Sequence, residues 1–177
     1  MKRFLIAVGA ILLVTGAACA NFADAAETKL GSVDIQKVLL ISDAGKEAKE
    51  QLSLKAAKYQ AEVNAKEEEL KKMSGELEKQ SVLLSETARG AKEKDFMQKR
   101  KEFERLKKDA QDDLQAKNDE LTNKIVEEII RLIQDYGRKN GFTFILVKNE
   151  SMIFIDDKVD LTDEILKQFN AARKSTK

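Results

Sequence analysis

From Leu52 onward apolar side chains recur at Leu52, Ala56, Tyr59, Val63, Leu70, Met73, Leu77 and Leu84, with gaps of three, four or seven residues. This spacing lies between the roughly 3.6 residues per turn of a straight helix and the roughly 3.5 of a heptad seam, so it predicts a long helix with a narrow apolar stripe. Two stripe positions, Lys66 and Gln80, are polar. The flanks carry acid–base pairs four residues apart, such as Glu67 with Lys71 and Glu68 with Lys72, as a solvated helix surface does. A second stripe follows through Phe96, Phe103, Leu106, Ala110, Leu114, Leu121, Ile125, Ile129, Leu132 and Tyr136. Between the two, residues 81–90 (SVLLSETARG) lose charge and gain Ser and Thr, with Ser85 fit to cap a helix whose first turn holds Glu86. The pattern predicts a helical hairpin from about Asp43 to Asn140 with its tip near 81–90, ended by Asn140-Gly141 as a left-handed cap. Each arm of roughly 40 residues or more would reach on the order of 60 Å.

The ends follow a different pattern. Residues 29–34 (KLGSVD), continuing into Ile35, read as a short strand, with helix resuming behind Ser42 or Asp43 as N-cap. After Gly141 the runs 142–147 (FTFILV) and 151–155 (SMIFI), separated by Lys148-Asn149-Glu150, predict a β-hairpin apolar on both faces. A short helix is expected from about Thr162 to Asn170. The return helix is densest in apolar residues at its base, 125–133 (IVEEIIRLI), so the packed end is the one that carries the strands. One hairpin and one strand cannot cover two apolar faces alone, so the body is expected to be built from several chains.

Composition narrows the chemistry. There is no His, Trp or Pro, and the one cysteine is Cys19. The commonest general base, the commonest zinc ligands and every nucleophile–His dyad are therefore missing. Gly45-Lys46 is followed by Glu47 and lacks the earlier glycine of a phosphate-binding loop, so no nucleotide site is expected. The carboxylates of Glu67-Glu68-Glu69 and Asp112-Asp113 point different ways on a helix and make a poor cation site. A β-turn accounts for Asn149-Glu150-Ser151 as well as a glycosylation sequon does. No cofactor is called for, and the reading is of a binding protein rather than an enzyme.

Lys2 and Arg3 precede an uncharged apolar run, 4–14, too short to span a bilayer, and A-x-A sites follow at Ala18-Cys19-Ala20 and Ala23-Asp24-Ala25. This is the layout of a signal peptide, with cleavage expected after Ala25. The competing expectation is a lipid anchor on Cys19, which would suit a coiled-coil spacer or scaffold of the envelope. Of 32 basic and 31 acidic side chains, residues 1–25 hold Lys2, Arg3 and Asp24, so the mature chain keeps 30 of each. Near neutrality argues against nucleic acid or any other global polyanion as a partner. Locally, residues 86–110 carry nine bases, among them Arg89, Lys92, Lys94, Lys99 and Arg100, against six acids. A solvated helix face accounts for this mild excess; attraction of acidic clients or a membrane surface is the alternative.

The order KLGSVDIQKVLL, long helix, tip LLSETARGAKEKDF, return helix, FTFILV, SMIFI and VDLTDEILKQFN closely resembles the Skp (OmpH) family of periplasmic chaperones over essentially all of the mature chain. The resemblance implies a mostly α fold with a small β body, and a homotrimer whose helical arms surround a cavity for unfolded outer-membrane proteins. It divides the chain into a leader (1–25), an N-terminal strand region (26–42), the hairpin arm (43–140) and a C-terminal part of the body (141–177). By the same analogy Val33, Ile35, Phe144, Leu146, Ile153 and Ile155 would build the trimer body. Met73, Leu77, Leu84, Phe96, Met97 and Phe103, with Arg89, Lys92, Lys94, Lys99 and Arg100, would meet clients on the arm, though Phe96, Met97 and Phe103 also fit the seam. Well-known members are strongly basic and this chain is not, so only a weak contact with lipopolysaccharide or a membrane surface is expected.

Overall fold

The computed structural model describes residues 28–80 and 84–175. The leader expectations, cleavage after Ala25 and the fate of Cys19, lie outside these residues, as do positions 81–83 of the tip. Strand β1 (Leu30–Val33) leads into α1 (Ile35–Ile41), α2 (Asp43–Gln80) and α3 (Glu86–Lys139), then β2 (Phe144–Val147), a single 3-10 turn (Asp157–Val159) and α4 (Thr162–Ser175). The fold is mostly helical with one small sheet, as expected.

The arm forms because its residues are strong helix formers and nothing between Asp43 and Lys139 interrupts them except the tip. At about 1.5 Å per residue, the 38 residues of α2 span about 57 Å and the 54 of α3 about 80 Å. Ser85 caps α3, its hydroxyl accepting from the Ala88 amide at 3.3 Å. At the other end Gly141 adopts φ +67°, and the Phe142 amide reaches back to the Gly137 carbonyl at 3.0 Å, closing a Schellman turn.

At the base two expectations fail for identifiable reasons. The first strand stops at Val33, because the Asp34 carboxylate accepts the Lys37 amide at 2.8 Å and starts α1 there; Ile35 is helical. The expected β-hairpin between 142–147 and 151–155 does not form. Phe144–Val147 instead pairs in parallel with β1, Leu30 opposite Phe144 and Val33 opposite Val147, so the whole arm is the crossover between two parallel strands. The Lys148 amide extends this ladder to the Val33 carbonyl at 2.8 Å. A turn closed by Met152 N–H on the Asn149 carbonyl then sends the next residues outward. An apolar run records that a segment seeks cover; it does not record which strand supplies it.

The core lies where the sheet, α1, the base of α3 and α4 meet: Val33, Ile35, Val38, Ala44, Ile125, Ile129, Ile165 and Phe169 are buried together. Helix α4 runs to Ser175, past the expected end at Asn170. The Asn170 side chain caps a different helix, accepting the Asp43 amide of α2 at 2.9 Å. Arg173 then anchors the last turn on Glu128 at 2.7 Å and Glu47 at 3.5 Å. Polar contacts close the body as well. Buried Thr162 accepts the Asp34 amide at 3.0 Å and donates to Asp160, whose other oxygen takes the Lys148 ammonium at 2.7 Å. Burial opposes ionisation of Asp160, yet Lys148 and the two bonds from Thr162 hold its pKa down at about 2.

Candidate functional site: the arm and the open strand edge

The two helices of the arm meet in one register. Tyr59 donates to Asp113 at 2.7 Å, and Lys92 donates to Gln80 at 2.5 Å. The same 21-residue interval, three heptads, separates Tyr59 from Gln80 on α2 and Lys92 from Asp113 on α3. Carried between these contacts, the register sets Val63 level with Ala110, Leu70 with Phe103, and Leu77 with Phe96. The alternate layers are Lys66 with Leu106, and Met73 with Lys99. Apolar layers thus alternate with layers that contain a cation or an amide. Consistent with that register, Glu102 acts on Lys66 across the seam, and Lys99 on Glu69.

The Tyr59–Asp113 layer is a polar clamp that the apolar spacing of the sequence did not single out. Lys55 joins it with an ion pair to Asp113 at 2.5 Å. Hydrogen bonds from Lys55 and Tyr59 lower the Asp113 pKa, while the bond to Asp113 raises that of Tyr59. The signal available was an acid at seam spacing, seven residues beyond Leu106, opposite a tyrosine that carries its own donor.

Met73, Leu77, Leu84, Phe96 and Phe103 are half-buried along the seam, and Met97 is exposed beside it. Of the arm cations, Arg89, Lys94 and Arg100 are exposed, whereas Lys92 and Lys99 sit half-buried in seam layers. Arg89 lies 3.6 Å from Glu93 and Lys99 3.8 Å from Glu102, each pair on one helix.

The six residues expected at the assembly body fall into two groups. Val33 and Ile35 are buried in the chain's own core. Phe144 and Leu146 point outward from β2 and are half exposed, Ile155 is partly covered, and Ile153 is fully exposed. Val147 and Phe154, not singled out from the sequence, belong with the exposed group. The two edges of the sheet differ. The outer side of β1 is closed by a bridge from Ser32 to Asp160 and by the Leu161 amide on the Ser32 carbonyl at 2.8 Å. The outer side of β2 has no strand against it among the described residues. Also among those residues, no helix is long and apolar enough to cross a membrane, and no acidic or sulfur-bearing cluster is arranged to hold a metal ion.

A two-helix arm on a small body with one open strand edge defines a module that acts through extended surfaces. The chain belongs to the family described as outer membrane protein (OmpH-like), whose model matches residues 29–169. It is 30% identical to an uncharacterized protein of Aquifex aeolicus over 78% of this chain and 83% of that one. It is 22% identical to a Skp-like protein of Pseudomonas aeruginosa, over 92% and 96% of the two chains. The crystal structure of a putative outer membrane chaperone (OmpH-like) from Caulobacter crescentus superposes with a TM-score of 0.76 and 15% identity, covering 82% of this chain and 85% of that one.

Proposed function

We propose that this chain is an ATP-independent periplasmic holdase, exported by its N-terminal leader, that keeps unfolded outer-membrane proteins from aggregating. The observation that carries the reading is the arm: a hairpin on the order of 60 Å long with a thin, partly aromatic seam and densely charged flanks of mixed sign, on a body far smaller than itself. A holder without nucleotide must bind and release at equilibrium, so its contacts are many and individually weak. Arms joined in one assembly raise the effective concentration of each further contact. The open edge of β2, with Phe144 and Leu146 exposed on that strand and Ile153 and Phe154 exposed in the segment after it, supports assembly of several copies, and the family resemblance supplies three. The exposed cations Arg89, Lys94 and Arg100 support no more than a weak contact with an anionic membrane surface or lipopolysaccharide.

The test is light scattering of the purified protein, alone and with a urea-unfolded β-barrel membrane protein diluted into it without nucleotide. A trimeric mass and a soluble complex are expected. A monomer or dimer that leaves the barrel protein to aggregate would refute the holdase and favour an envelope spacer.

A further inference from the structure

We propose that the outer half of the arm opens along its own seam and takes an apolar stretch of an unfolded chain between α2 and α3. This rests on the holdase reading and adds where the client is gripped: inside the hairpin, on side chains that face each other when it is closed.

Three features of the seam lead there. Among the described residues, none between Gly45 and Asp109 is buried, so the outer arm has no core of its own and its apolar layers are only half covered when shut. Of the cations in the outer seam, Lys92 gives up its bond to the Gln80 amide oxygen when the helices part, whereas Lys66 and Lys99 keep an acidic partner. Lys66 takes Glu69 at 3.0 Å, three residues along the same helix, and Lys99 pairs with Glu102 in the same way, so both pairs survive separation of the helices. Opening therefore exposes a limited apolar area and leaves no charge unpaired at these two layers. What it uncovers is a strip of Val63, Leu70, Met73 and Leu77 facing Phe96, Phe103 and Leu106. Met and Phe surfaces adapt to apolar partners of varied shape, as a sequence-tolerant holder requires.

The clamp sets the inner limit. Tyr59 and Lys55 both hold Asp113 across the seam, Ala110 beside it is buried, and beyond it lies the packed base around Ile125 and Ile129. From Val63 to Leu77 the strip spans 14 residues of helix, about 21 Å, which matches about six residues of extended chain. That is a good part of one membrane-spanning β-strand of an unfolded barrel protein. When shut, the two sides of the strip face each other and leave no room for a chain between them, so apparent affinity for a client held there scales with the fraction of open arms.

A reducible lock tests this. Met73→Cys/Lys99→Cys, one heptad inward of the Gln80–Lys92 contact, is bridged by a short bis-methanethiosulfonate in a chain carrying Cys19→Ser. A second lock, Gln80→Cys/Lys92→Cys, sits where the tip already joins the helices and serves as the control. The readout is suppression of aggregation of a urea-unfolded barrel protein, with helix content followed by circular dichroism.

The expected result, each double variant being compared with its own reduced form, is that the 73/99 bridge weakens suppression about tenfold, that reductant restores it, and that the 80/92 bridge makes no difference. Equal suppression by bridged and reduced 73/99 protein would overturn the proposal while leaving the holdase intact. Equal loss with both locks would overturn it too, since cross-linking anywhere on the arm would then be the cause. Failure of the unmodified protein to suppress aggregation would remove the holdase reading itself, a result distinct from either.

Discussion

Asp160 ties three elements together: it bridges to β1, caps the start of α4 through Thr162, and receives Lys148 from the end of β2. Its folded pKa of about 2 lies below its ordinary 3.8, so folding favours the ionised form. The stabilisation is fully present above the unfolded value and is lost as pH falls from about 4 through about 2. Urea unfolding should therefore give the native protein a higher midpoint than Asp160→Asn at pH 6, with the gap narrowing as pH approaches 2. A gap that does not change with pH would show that Asp160 acts by shape alone. A second residue-scale case is Gly45, where a Cβ would lie 1.7 Å from the Leu39 carbonyl oxygen. The glycine lets α2 start hard against the end of α1, after Ser42 breaks the helix and its hydroxyl accepts the Gly45 amide at 3.1 Å. Gly45→Ala must move backbone, not a side-chain tip, so a loss of about 1–3 kcal/mol is expected in chemical unfolding. Neither role was legible in the sequence, because Asp160 and Gly45 are defined by neighbours distant in the chain or by a backbone path that spacing does not encode.

At the scale of elements, the arm was legible and the body only in part. A 3.5-to-3.6 period over many turns leaves one solution, and Ser85-Glu86 and Asn140-Gly141 mark ends through local capping chemistry. The partner of a strand is a long-range choice, so the parallel pairing of β1 with β2 across the whole arm was hidden, as was the outward course of 153–156. The glycines of the arm give a contrast with Gly45. Gly75 and Gly90 have nothing within 4 Å of where a Cβ would go. Gly75→Ala and Gly90→Ala should each stabilise the helix locally by about 0.5–1 kcal/mol. Amide hydrogen exchange on α2 and α3 reads this directly, as slower exchange in the turns around each site. If exchange slows and the range of clients held narrows, these glycines serve arm flexibility; if exchange slows and the client range is unchanged, they do not.

For the whole molecule the decisive contrast is between apolar residues that the chain covers itself and those it leaves out. Val33, Ile129 and Ile165 are fully buried in one chain, so that core is complete without a partner. Phe144 at 57% and Leu146 at 51% exposure lie on β2, whose outer side has no strand against it among the described residues, and Ile153 at 100% and Phe154 at 85% are exposed in the segment that follows. On the assembly proposed above, the two sets separate folding from association of copies. Leu146→Asp with Phe154→Asp changes only exposed positions, so far-ultraviolet circular dichroism should stay near that of the native protein while the light-scattering mass falls to that of one chain. Val33→Ala acts on the other set and should cost stability by opening a cavity beside Ile129 and Ile165. If the double variant keeps the assembled mass, copies meet elsewhere, and the exposed edge needs another occupant. If it becomes monomeric yet still suppresses aggregation, a single arm holds its client without neighbours, and the avidity of joined arms is not what makes the holder work.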